Sequence, residues 1–206
     1  MRNLALAAIL AAAAGGLLLS TRSSAGDTAA PVASPVHVVT LYRYDPLKSA
    51  LSLASGTEGR VFQDHYARPK AVDVDFGNFN ADALTIATDD NRRGIIVDLG
   101  SSADLAKRYG YVEPPGGGQG FASLHFEGAR LVITRGVEGR FQPLAEISGL
   151  LTAPVACASA PAAVGHIYLV RLLDKLETTF ERLAKLMVIE HKAGETCTIR
   201  WELLTR

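Results

Sequence analysis

The chain has 206 residues, 48% of them hydrophobic, and its 21 basic and 21 acidic side chains cancel to no formal net charge. A neutral balance with scattered basic residues lacks the electrostatic footprint of a nucleic-acid-binding protein, or of one drawn to an anionic membrane surface.

The first element is an export leader at residues 1–25. Arg2 supplies a positive charge near the terminus, and residues 4–19 (LALAAILAAAAGGLLL) form a run of 16 without a polar side chain. Ser23-Ser24-Ala25 then puts small residues three and one before a cut at Gly26, as a signal peptidase requires. As a helix the run reaches only about 24 Å, short of a hydrocarbon core of about 30 Å, which favours a cleaved leader over a retained anchor. No cysteine follows the run for acylation and no twin arginine precedes it, so general export to the periplasm or the extracellular space is the expectation. After cleavage no membrane insertion is expected. Arg2 and Arg22 leave with the leader, and the remaining 181 residues carry 19 of the 21 basic side chains against all 21 acids. That length suits one domain with a sizeable core.

Residues 26–35 (GDTAAPVASP) are small, polar and proline-containing, the composition of a flexible linker. A single β-rich domain is predicted over 36–206. Residues 36–44 read as a partly buried strand ended by Asp45-Pro46, and residues 51–53 and 60–62 as a short hairpin around Gly56 and Gly59. Residues 83–88 (ALTIAT) and 94–99 (GIIVDL) are β-branched and joined by Asp89-Asp90-Asn91-Arg92-Arg93, which predicts a hairpin. Ser101 with Asp104 forms a helix-capping pattern, predicting one or two turns through Tyr109. Residues 113–120 (EPPGGGQG) read as a surface loop. Strands follow at 121–126, 129–134 and 141–147. An alanine- and proline-rich connector at 152–164 is long enough to cross between sheets, and a strand at 166–172 comes after it. Leu176, Phe180, Leu183 and Met187 fall at helical spacing, so a short helix or bent loop is expected at 174–184, before a closing hairpin over 185–201. The sum is a mainly β fold, an antiparallel β-sandwich or jelly-roll-like barrel with one or two short helices.

Two cysteines, Cys157 and Cys197, fall in the exported part, where an oxidising compartment predicts one disulfide between them. Such a bridge closes a loop worth roughly 3–4 kcal/mol on the chain-entropy model. The histidines (His37, His65, His125, His166, His191) form no close pair, and neither GxSxG nor SxxK is present, so no catalytic or metal residue is assigned and no cofactor is expected.

The most suggestive stretch is Asp73-Val74-Asp75 followed by Asn78, Asn80 and Asp82. Closely spaced hard oxygens suit Ca²⁺, but the glycine and terminal glutamate of an EF-hand loop are misplaced, and a solvated face of an edge strand explains the acids more simply. Aromatics concentrate in the first half (Tyr42, Tyr44, Phe62, Tyr66, Phe76, Phe79, Tyr109, Tyr111), where core packing competes with a sugar-binding platform. The leading expectation is a non-catalytic exported module that binds a protein or a glycan outside the cytoplasm. Its rivals are a hydrolase using clustered carboxylates (Asp73, Asp75, Asp89, Asp90) and a structural subunit of an envelope or extracellular assembly.

Overall fold

A computed structural model describes residues 35–45, 47–54, 56, 72–77, 80–86, 92–115, 118–137, 140–152 and 158–206. The leader, most of the linker, Cys157 and the predicted strand at 60–62 lie outside these residues. Twelve strands occur among them: β1 (His37–Tyr42), β2 (Ala50–Leu51), β3 (Val74–Phe76), β4 (Ala83–Ile86), β5 (Arg92–Gly100), β6 (Leu124–Glu127), β7 (Arg130–Val137), β8 (Arg140–Glu146), β9 (Ser159–Pro161), β10 (Ile167–Asp174), β11 (Glu181–Lys192) and β12 (Thr196–Leu203). One α-helix, α1 (Ser102–Tyr109), follows β5.

The strands form three antiparallel sheets, ordered β1-β12-β11-β10-β5, β2-β3-β4-β9 and β6-β7-β8. The fold is therefore mainly β and sandwich-like, and the sheets do not close into the barrel that was the alternative. The five-stranded sheet is the middle layer, because its strands are apolar in both phases. In β10, Tyr168, Val170 and Leu172 face one core while Ile167 and Leu169 face the other, and all five are fully buried. A strand covered on both faces reads as such a continuous apolar run.

The first face packs on the four-stranded sheet through Val74, Phe76, Leu84 and Ile86 against Ile96, Leu186, Val188 and Ile199. The second face is covered by α1, the 3-10 turn Phe121–Ser123 and the three-stranded sheet, through Leu105, Phe121, Leu124 and Leu131. Each fully buried Leu, Ile or Phe side chain contributes roughly 1.5–3 kcal/mol. Tyr168 ties the layers, donating from its hydroxyl to the Pro161 carbonyl at 2.7 Å and accepting from the Ala163 N–H at 2.9 Å.

Helix α1 forms where its cap is written. Ser101 Oγ accepts from the Asp104 N–H at 3.4 Å, and the Asp104 carboxylate accepts from the Ser101 N–H at 2.8 Å. The helix stops at Gly110, whose φ of 71° closes the last turn onto the Ala106 carbonyl.

One expectation is corrected and one alternative is decided. β4 and β5 do not form the predicted hairpin: β4 pairs with β3 and β9, β5 pairs with β10, and the two sit in different sheets. They meet face to face instead, so closely that a Cβ on Gly94 would fall 2.3 Å from Ile86 Cγ2. A turn-rich linker marks a reversal, but not which sheet the chain enters after it. Of the short helix or bent loop expected at 174–184, it is the bent loop that forms: Asp174 Oδ1 accepts from the Leu176 and Glu177 N–H groups, which makes a turn, and the loop is shorter than expected because β11 begins at Glu181. The helical spacing of Leu183 and Met187 arises because both stand on the second face of the middle sheet.

Candidate functional site

The acids that drew attention in the sequence are structural anchors. Asp73 is fully buried, with Oδ1 3.1 Å from Arg92 Nη1 and Oδ2 2.6 Å from Arg182 Nη1. Its Oδ2 also accepts from the Leu53 N–H at 2.8 Å. The guanidinium carbons of Arg92 and Arg182 lie 4.8 and 5.1 Å from the centre of the Phe180 ring. Asp75 is buried too, on a strand interior to its sheet. The expected solvated edge face is thus overturned for both residues. A charge-assisted network fixes Asp73 because an unpaired carboxylate there would cost several kcal/mol.

Asp82 is held elsewhere. Its Oδ1 lies 3.1 Å from His191 Nε2 and accepts from the Gly194 N–H at 2.5 Å. The Gly194 N–H is the main influence holding the Asp82 carboxyl below the usual carboxylate range, with the His191 contact adding to it. Arg182 and His191 are nine residues apart in β11, about 30 Å at roughly 3.3 Å per residue. Asp73 and Asp82 therefore cannot share one cation. Among the described residues no three histidines, cysteines or acids are placed to hold a metal. Asn78, Asp89 and Asp90 lie outside them.

The histidines are similarly dispersed. His37 stacks on Trp201 with ring centres 4.4 Å apart, and His166 Nδ1 lies 3.0 Å from Asp98 Oδ2, whose partner oxygen accepts from the Gly100 N–H at 2.7 Å. Lys185 is buried in the second core, where Nζ donates to the Leu124 carbonyl at 3.0 Å, meets Glu202 at 3.3 Å and sits 4.7 Å above the Phe121 ring. Burial is what pulls the Lys185 ammonium below the usual lysine range. No disulfide is made among the described residues. Cys197 is a free, buried thiol that burial pushes up to about 12, and its expected partner Cys157 lies outside them.

What sequence reasoning missed is an exposed edge. Among the described residues β1 pairs on one side only, with β12. Arg43 N–H donates to the Glu195 carbonyl and continues that ladder, while Tyr42 N–H turns the other way to the Lys48 carbonyl. Backbone direction alternates along a strand, so the N–H and C=O groups of Val38 and Thr40 also point away from β12. They have no backbone partner among the described residues. Val39 and Leu41 fill the first core, yet the opposite phase is not polar: Val38 is 62% and Tyr42 40% exposed. Tyr44 and Leu47 extend the patch into the following turn, with Arg43 4.9 Å over the Tyr44 ring and Lys48 5.4 Å over Tyr42. The signal was present in HVVTLY, whose outward phase carries valine and tyrosine where a solvated strand carries charge.

Of the other aromatics named from the sequence, Phe76 and Tyr111 are core. Phe62, Tyr66 and Phe79 lie outside the described residues. Comparison of the chain with protein-family models, with curated proteins and with solved structures finds no match.

Proposed function

We propose that this protein is an exported, non-catalytic binding module that takes up an extended segment of a partner protein along β1. The observation that carries the reading is where apolar surface is left uncovered. Of nine exposed large hydrophobic side chains among the described residues, five (Val36, Val38, Tyr42, Tyr44, Leu47) belong to β1 and its flanks. A β-edge offers backbone hydrogen bonds for affinity and alternate side chains for selection, which is the physics of strand addition. A protein strand is favoured over a glycan because Arg43 and Lys48 already cover one face of Tyr44 and Tyr42, the surface on which a sugar would stack. Export rests on the leader at residues 1–25, and the partner is accordingly periplasmic or extracellular.

A photo-crosslinking residue at Val38 tests this in cells that export the protein, with one at exposed Leu176 as control. A single partner adduct from position 38, absent from 176 and lost on Thr40→Pro, is the expected result. Proline is tolerated on an edge whose N–H faces away from the ladder, but it blocks an added strand. Crosslinks that are the same at both positions, or indifferent to the proline, would defeat the reading.

A further inference from the structure

A second site lies at the other end of the middle sheet. In the β5–β10 pairing Arg93 stands opposite Leu173, and Ile95 opposite Arg171. Directly opposed residues share a face, so these four side chains form one floor on the second face of the sheet. The 3-10 turn Ser148–Thr152 hangs over them, and together they bound an open cavity of about 280 Å³, roofed by Leu151 and Thr152. At roughly 30 Å³ per water that is room for about nine waters, or for a body the size of a single ring.

The two arginines are not equivalent. Arg171 is fixed: Nε donates to Glu181 at 2.7 Å and Nη1 to the Leu151 carbonyl at 2.6 Å, stitching floor to roof. Glu181 is shared, since Arg206 lies 3.0 Å from its other oxygen. Arg93 is exposed, and among the described residues its side chain makes no hydrogen bond or ion pair. Arg171 and Arg206 therefore share the Glu181 carboxylate, and the charge of Arg93 borders a cavity walled by Ile95, Leu151 and Leu173.

We propose that this cavity binds a single carboxylate carried on a small apolar body, with Arg93 closing on the carboxylate and the aliphatic wall taking the body. A guanidinium presents two parallel donors matched to a planar carboxylate, and the match strengthens beside apolar surface where water competes less. The carboxylate has two conceivable sources, a free organic acid or the C-terminus of a peptide. Both offer the same chemistry, and the site is independent of the β1 edge.

The test is a titration of the leaderless protein with benzoate, followed by amide chemical shifts. Saturable shifts at Ile95 and Thr152 are expected, with uncharged benzamide binding about tenfold more weakly, or less, than benzoate. Arg93→Gln should lose about tenfold in benzoate affinity, the loss expected for one charge-assisted pair, with its other shifts unchanged. Thr40→Pro should leave benzoate binding intact. An acetylated Gly-Phe dipeptide with a free C-terminus, against its amide, separates the sources: tighter binding than benzoate assigns a peptide end, weaker binding a free acid. Absence of saturable benzoate shifts, equal binding of benzamide, or indifference to Arg93→Gln would each overturn the proposal.

Discussion

The two faces of the middle sheet are covered in different ways. The first is roofed by a whole sheet, and its buried charge is gathered at one place, where Asp73 binds Arg92 and Arg182. The second is roofed piecemeal by a helix, a 3-10 turn and a small sheet, and it holds one buried ammonium, Lys185, paired with Glu202. The second roof also stops short. At one end Val38 and Tyr42 of β1 are left exposed, and at the other the Arg93 cavity opens under the turn at Ser148–Thr152. The lesson is that surface available for recognition appears where cover is incomplete, while the ionisable residues most visible in the sequence went into fastening the complete side.

Removing the fastening should have the largest effect. Asp73→Ala leaves two arginines facing a buried gap and should cost about 3–5 kcal/mol in urea unfolding. A cost below about 1 kcal/mol would mean that water reaches the triad and that the first face is not sealed.

The second face should be distinguished by pH. Lys185 has a folded pKa below its unfolded value of 10.5, so between the two the unfolded chain binds more protons and stability rises with pH. The contribution is fully present above 10.5 and is lost as pH falls through the lowered folded value. Lys185→Met should flatten that rise in thermal unfolding measured at alkaline pH. An unchanged slope would place the proton elsewhere.

A smaller effect is expected at the helix that roofs the same face. Ser101→Ala removes the acceptor for the Asp104 N–H and should cost about 1 kcal/mol, read as a shift in the urea midpoint.

The smallest is expected on the bare edge. Tyr44 is 78% exposed, and Tyr44→Ala should alter stability by less than about 0.5 kcal/mol while weakening partner crosslinking from position 38. A large loss of stability there would show that the edge belongs to the core.

Local chemistry was readable wherever its cause lay within a few residues. The cap of α1 follows from Ser101 and Asp104, and the closing hairpin of β11 and β12 from a polar turn between two apolar runs. Mainly β content followed from short β-branched runs punctuated by glycine. The candidate edge was half legible, since the apolar outward phase of β1 is in the sequence but its having no second neighbour among the described residues is not. The acids misled because Asp73 finds Arg182 across 109 positions of chain, and nothing near Asp73 announces that partner.

By itself, then, the sequence determined where strands, turns and the one helix form, because those depend on neighbouring side chains, hydrogen-bonding caps and alternation. Tertiary structure alone decided that β4 and β5 part into different sheets, that Asp73 is sealed between two arginines, and that Val38, Thr40 and Arg93 are left facing outward. Strand pairing and cover are long-range choices, made by which apolar faces meet, and a turn-rich linker such as residues 87–91 permits either outcome.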